Sequence, residues 1–127
     1  MKILKTVPIF YHDALEPRLD HWCQLLGYQV VAEVPHGEHL GFVILVREGS
    51  EIMLQTYASA ADDTSAAIAP IRAKGVAFYH ETDDVAAIAA KLDGPRVRVA
   101  LRDTAYGMRE LFVEDEAGFL HGYAQRL

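Results

Sequence analysis

Asp115-Glu116-Ala117-Gly118, close to the end of the chain, reads as a hairpin turn, and Glu48-Gly49-Ser50-Glu51 reads as its counterpart near the middle. Each is preceded in its half by an acidic residue placed to open a helix, Asp13 in the first and Asp84 in the second. The acids lie 71 positions apart and the turn glycines 69. A near-constant offset of this size marks two unequal copies of one module. Two paired modules can enclose a cleft, and clefts hold small ligands.

Working outward from the first turn, residues 3–11 predict a strand. Asp13 then starts a helix, with Glu16 completing a capping box and Pro17 in the first turn. Leu15, Leu19, Trp22 and Leu26 form its apolar stripe, and Gly27 ends it. Strands follow at 28–34 and 40–46, separated by a loop at 35–39, and a return strand at 51–57 follows a two-residue turn at Gly49-Ser50. The module is β-α-β-β-β. Residues 58–74 form a connector rich in Ala, Ser and Asp, with a short helix at 64–72 and Gly75 as its stop. The second copy has a strand at 76–81, a helix capped by Asp83 or Asp84 with Val85, Ile88, Ala89 and Leu92 facing the sheet, a break at Gly94-Pro95, and strands at 97–101, 108–114 and 119–126. The fold class is therefore α+β in a single domain: module one 1–57, connector 58–74, module two 75–127.

The totals bound the function. The chain of 127 residues is 51% hydrophobic and 24% charged, an ordinary globular balance. Its net charge of −6 argues against nucleic acid and mildly favours a cationic ligand. Cys23 is the sole cysteine, which rules out an internal disulfide and fits a reducing cytoplasm; within an amphipathic helix it reads as a small buried hydrophobe. No apolar run approaches the roughly 20 residues of a membrane span, and the N-terminus lacks a signal-peptide pattern.

Two phrases carry a resemblance. Trp22-Cys23-Gln24-Leu25-Leu26-Gly27-Tyr28 resembles an aromatic-x-x-x-Leu-Gly-aromatic helix end, and Tyr106-Gly107-Met108-Arg109-Glu110-Leu111-Phe112, followed by Asp115 and Gly118, resembles a closing hairpin in which Glu116 replaces the usual proline. With the doubled β-α-β-β-β order, the chain resembles the vicinal oxygen chelate superfamily of glyoxalases, extradiol dioxygenases and bleomycin-resistance proteins. The resemblance implies curved mixed sheets around a cleft, and a homodimer. It also implies that one His or Glu from each of four strands holds a divalent ion in the metal-dependent members. Counting from Asp13, Asp84 and the turns, those positions fall on Thr6, Met53, Ala77 and Gly122, none a strong metal ligand. The resemblance is thus closest to the metal-free, bleomycin-resistance-like members, with no metal, no cofactor and no catalytic residue expected.

Strand alternation then assigns the cleft. Pairing Glu48 with Glu51 sets Phe42 opposite Tyr57, and puts Phe42, Met53, Gln55 and Tyr57 on the cleft wall and Val43, Leu45, Ile52 and Leu54 behind it. The same parity puts Thr6, Pro8 and Phe10 inward on the first strand and Ala77, Tyr79 and Glu81 on the fifth. A four-residue Asp115–Gly118 loop points Arg109 inward, to clamp a carboxylate or to pair with Glu81, and Glu110 outward. The expected ligand-binding set is Phe10, Phe42, Met53, Gln55, Tyr57, Tyr79, Glu81, Tyr106 and Arg109: aromatics for stacking or cation–π contact and polar tips for orientation. The small-molecule ligand expected is aromatic or cationic. Two alternatives stand beside this: an enzyme whose metal is held by displaced ligands such as His12, Glu81 and His39, and a structural or regulatory dimer with a filled cleft. His36, Glu38 and His39 read as a solvated hairpin tip, and His121 as an outward-facing histidine.

Overall fold

The computed structural model describes residues 1–92, 94 and 96–127, so the break expected at Gly94-Pro95 lies partly outside the described residues. The first module runs β1 (Ile3–His12), α1 (Glu16–Leu19), β2 (Gln29–His36), β3 (His39–Arg47) and β4 (Ser50–Thr56). The connector holds α2 (Tyr57–Asp63) and α3 (Ile68–Lys74), joined by a 3-10 turn at Ser65–Ala67. The second module runs β5 (Val76–Thr82), α4 (Val85–Lys91), β6 (Val97–Asp103), β7 (Met108–Glu114) and β8 (Leu120–Arg126). All eight strands join one curved open sheet in the order β2-β3-β4-β1-β5-β8-β7-β6. Each half is mixed, with β1 parallel to β4 and β5 parallel to β8, and the halves meet where β1 runs antiparallel to β5. No described helix is long and apolar enough to cross a membrane.

Both outer faces are aliphatic, the first with the residues that alternation assigns and the second with residues of β7 that the expected register turned inward. Val43, Leu45, Ile52 and Leu54 are buried against Leu15, Leu19 and Trp22. Leu111 and Val113 are buried under Val85 and Leu92 of the α4 segment. Asp84 caps α4, its carboxylate accepting the Ala87 N–H at 3.1 Å. Asp13 does not cap α1. Leu15 is the N-cap residue, without a side-chain cap, and the Glu16 carboxylate accepts the Leu40 N–H instead, tying the helix to the start of β3. From Asp20 to Leu25 the helix widens into a π-helix, which Gly27 ends at φ +74°. Bonds spanning five residues rotate the stripe. Trp22 and Cys23 therefore face the core, while Leu26, expected in the stripe, is left 37% exposed.

The concave face carries the largest core cluster. Val7, Ile9, Tyr11, Met53, Ala77, Phe112 and Leu120 from the strands pack with Ala60, Ala67 and Ile71 from the connector. The connector is thus not a surface strap but a lid over part of the concavity. Thr56 starts it by accepting the Ser59 N–H at 3.1 Å. Tyr57, expected to end β4, begins α2.

Three registers decide which side chains reach the concave face. In the β3–β4 hairpin Arg47 faces Ser50, so the turn is Glu48-Gly49, with Glu48 at φ +53°, and Phe42 opposes Gln55 rather than Tyr57. The displacement is an even one, so the expected faces survive. In the β7–β8 hairpin the loop is a residue longer than expected. Asp115 accepts the N–H groups of both Ala117 and Phe119 at 2.9 Å, the strands close at Glu114↔Leu120, and Phe112 rather than Leu111 faces Gly122. This odd slip reverses the strand: Glu110 turns inward and Arg109 outward. In β1 the inward set is Val7, Ile9 and Tyr11, because Ile9 lies opposite both Met53 and Ala77. Thr6, Pro8 and Phe10 therefore face out. Both alternating sets in this strand hold apolar residues, so periodicity alone does not choose between them.

Candidate ligand site on the concave face

Directly opposed residues share a face, so the registers above define rows across the concavity. Met53, Ile9, Ala77 and Leu120 form one row, and Val7, Tyr79, Gly122 and Phe112 the next. Lys5, Glu81, Ala124 and Glu110 form a third, beyond the apolar cluster under the connector. Of the four positions read as metal slots, Met53, Ala77 and Gly122 are concave and Thr6 is not; Ile9 takes its place level with Met53. Gly122 is there for space. A Cβ on it would lie 2.6 Å from Phe112 Cε1 and 2.9 Å from Tyr79 Cδ1, so both rings close over the glycine backbone.

The polar focus is Glu110, fully buried on the middle of β7. Tyr79 donates its hydroxyl to Oε1 at 2.6 Å, while Tyr106 at 2.8 Å and Arg102 Nη2 at 2.9 Å donate to Oε2. Both carboxylate oxygens thus meet donors, from β5, β6 and the loop between β6 and β7, which is what a buried carboxylate needs. Burial, followed by the Glu110 charge, drives both tyrosine hydroxyls well above their ordinary range. For Arg102, burial opposes the charge. Its hydrogen bond to Glu110 and the charges of Asp63 and Glu110 outweigh that and hold the guanidinium above its usual value. The same guanidinium reaches the connector, donating to the Asp63 carbonyl at 3.1 Å and carboxylate at 3.2 Å. Tyr106, on the loop between β6 and β7, is 58% exposed and forms the outer wall over Glu110.

Glu81 stands two strands from Glu110. Arg126 Nε donates to it at 2.8 Å, and Lys5 Nζ lies 3.6 Å away while donating to Glu51 at 2.9 Å. The hydrogen bond to Glu51 leads in raising the Lys5 ammonium above its ordinary range. A charge ladder Glu51–Lys5–Glu81–Arg126 therefore runs across β4, β1, β5 and β8. Two open grooves, of about 400 and 180 Å³, lie along the rim beside this ladder rather than over Glu110. They share Val46 and Glu48 and are lined further by Gln29, Val31, Lys5 and Glu51.

The expected binding residues divide accordingly. Tyr79, Glu81 and Tyr106 gather around the carboxylate row. Phe42, Met53 and Tyr57 are concave but pack into the cluster that includes the connector helices, where Tyr57 stacks on Tyr11 at 6.0 Å and lies 4.8 Å from the Arg72 guanidinium. Gln55 donates to Ser59 of α2 at 3.2 Å. Two orientations are corrected. Phe10 lies on the outer face, stacked on Trp22 at 5.8 Å, and Arg109 lies outside in a paired bond to Asp103 at 2.7 and 3.1 Å. Glu110 and Arg102 are the residues that sequence reading missed. The Arg-Glu dipeptide was visible, but its facing was hidden by the loop length. His12 and Glu81 fall on opposite faces, and His39 sits at a hairpin end 3.8 Å from Glu16. That separates the displaced-ligand set, and among the described residues no group of three or more His, Cys, Asp or Glu side chains is arranged to hold a metal ion.

The fold has solved relatives. A glyoxalase/bleomycin resistance protein/dioxygenase superfamily member from Vibrio splendidus 12B01 superposes with a TM-score of 0.73 at 21% identity, covering 95% of this chain and 97% of that one. A methylmalonyl-CoA epimerase from Streptomyces coelicolor, in complex with 2-nitronate-propionyl-CoA, gives 0.72 at 18% identity over 98% and 99% of the two chains. The methylmalonyl-CoA epimerase of Mycobacterium tuberculosis gives 0.62 at 18% over 96% and 85%. At these identities the likeness concerns the fold. A comparison with curated protein sequences finds no match. The family model for the Glyoxalase/Bleomycin resistance protein/Dioxygenase superfamily matches residues 9–121, nearly the whole of both modules, and the chain belongs to that superfamily.

Proposed function

We propose that this protein binds a small aromatic or cationic compound on its concave face without a catalytic metal, in the manner of bleomycin-resistance-type members. The observation that carries the reading is the composition of the rows. At mid-strand the concave positions are Ile9, Met53, Ala77 and Gly122, with no imidazole or carboxylate to grip an ion. One row further, Tyr79 and Tyr106 are anchored through their hydroxyls on Glu110, and the exposed Tyr106 offers an aromatic face to an apolar or cationic group. Met53, Val7 and Phe112 supply the apolar floor. Tyr106 is the gate, since its ring stands between Glu110 and solvent.

The test is a thermal-shift and calorimetric titration against a panel of planar and cationic compounds, run with and without EDTA. A binder raises the melting temperature with ligand concentration by mass action. The shift is expected to survive EDTA and to fall in Tyr106→Ala. Chelator-sensitive binding, or stoichiometric metal retained through dialysis, would return the protein to the metal-dependent class. Absence of any shift across the panel would favour the filled-cleft dimer.

A further inference from the structure

On the convex face a seam runs between the first helix, which packs on Phe10 of β1, and α4, which packs on Tyr123 and bonds Gln125 of β8. Thr6, His80, His121 and Asp115 line up along it. The Thr6 hydroxyl is 2.7 Å from His80 Nδ1, His80 Nε2 is 2.9 Å from His121 Nδ1, and His121 Nε2 is 2.8 Å from Asp115 Oδ2. An ionised carboxylate only accepts, so with both rings neutral the order of donors is fixed from that end. His121 donates to Asp115, His80 donates to His121, and the Thr6 O–H donates to His80. Every proton points toward the carboxylate, and the last bare nitrogen faces a hydroxyl on an exposed residue.

The rings are held in place. His80 stacks on His121 at 5.2 Å and on Tyr123 at 4.8 Å, and His121 stacks on Phe78 at 5.6 Å. Asp115 is fixed by the N–H groups of Ala117 and Phe119, and its carboxyl is held below the usual range, with the His121 hydrogen bond the leading cause. Burial pushes His80 down to about 4, which keeps it a free base at neutral pH. Thr6 also borders the smaller of the two open rim grooves, with Lys5, Val46, Ser50 and Glu51, below the point where the β1–β4 ladder begins at Ile9↔Met53.

We infer that this seam is a hydroxyl-centred acyl-transfer site, with Thr6 as nucleophile and His80 as its base, taking small carboxylic esters. It is separate from the concave site and stands whether or not that site binds a ligand. In the first step Thr6 Oγ1 bonds to the acyl carbon, its proton passes to His80 Nδ1, and the ester C–O bond breaks as the leaving alcohol takes that proton. In the second, water gives its proton to the same nitrogen, its oxygen attacks the acyl carbon, and the acid leaves as Thr6 recovers its proton. Ester and water become acid and alcohol with no change of oxidation state. His121 and Asp115 are positioning residues that fix the tautomer of His80, by the logic of a serine–histidine–aspartate triad.

The experiment uses the full chain with p-nitrophenyl acetate, followed by release of p-nitrophenol and by peptide mapping of the quenched protein. One acetyl group on Thr6 is expected. Thr6→Val should remove it and lower hydrolysis about 10²-fold, the scale of general-base assistance to a positioned nucleophile, while Thr6→Ser retains activity. Asp115→Asn should lower the rate of Thr6 acylation with the far-ultraviolet circular dichroism unchanged. Acetylation of histidine or lysine in place of Thr6, no acylation at all, or an unchanged rate in Thr6→Val would overturn the assignment. The peptide map of the native protein decides it even if Thr6→Val does not fold.

Discussion

Glu110 concentrates in one side chain the electrostatics of the concave face. Its carboxylate is buried, and its partners are two tyrosine hydroxyls and one guanidinium. Replacing it with Gln keeps the shape but leaves Arg102 with only Asp63 as counter-charge. Glu110→Gln is therefore expected to cost about 2–4 kcal/mol, toward the lower part of the range for a broken buried pair because Arg102 is partly solvated. A urea titration of the two proteins measures it; a difference below experimental scatter would mean that water replaces the lost contacts. His80 gives the corresponding pH prediction. Its imidazole titrates near 6.5 when free, and burial, followed by the proximity of His121, lowers it to about 4 in the fold. Between those values the unfolded chain takes up a proton that the folded chain refuses, so stability is fully present above the higher value and falls as pH drops toward the lower. With the ring about half exposed, solvent screening leaves roughly 1–2 kcal/mol for this effect. Urea midpoints at neutral pH and in mild acid should separate more in the native protein than in His80→Gln, and equal separations would refute the assignment.

At the level of elements, Arg102 is the latch between module two and the connector. It leaves β6, reaches Glu110 on β7, and closes on Asp63 at the end of α2. Arg102→Met keeps the apolar stem and removes both contacts. Amides of α2 should then exchange at least tenfold faster, about 1.4 kcal/mol of local stability, while those of α4 keep their rates; uniform acceleration would indicate global destabilisation instead. This latch was illegible in the sequence for a definite reason. The β-α-β-β-β order of each half, the outer aliphatic face of the first module and the Asp84 cap follow from alternation, spacing and turn chemistry, and the structure has them. What failed were counts that rest on a single residue. Asp115 bonds two amides and lengthens its loop by one, which turned Glu110 inward. In β1 a count of seven back from the helix cap lands on an outward residue from either origin, Thr6 from Asp13 or Pro8 from the actual N-cap Leu15. The repeated Phe-Tyr-His at residues 10–12 and 78–80 held the better clue. Its offset of 68 is even and keeps both copies in phase with the sheet faces, whereas the 71 between the acids does not. The connector's role as a lid had no local signature beyond its alanines, because a cover over a concavity is defined by the far side of the molecule.

On the scale of the whole molecule, an open sheet has two ends. β2 forms one, and its residues 29–35 are exposed along their length, with Val31 at 59% and Val34 at 54%. Leu25 and Leu26, at the helix end that leads into this strand, extend the same rim with exposures of 72% and 37%. A long apolar edge with one unpaired row of backbone groups is a liability unless something covers it. We propose that a homodimer formed through this rim supplies the cover. A strand edge alone buries less than the roughly 800 Å² per partner of a stable interface, so the leucines at the helix end are needed as part of the contact. The native protein is then expected to sediment as a dimer with a concentration-dependent melting temperature. The double variant Val31→Lys, Val34→Lys should sediment as a folded monomer whose melting temperature no longer depends on concentration. Charges placed on an edge are tolerated in the monomer because both side chains already meet solvent, so a loss of dimer without a loss of fold is the discriminating result. A dimer that persists unchanged in the variant would move the contact to another surface, and a native protein that sediments as a monomer at every concentration would leave the valine edge in need of a different partner.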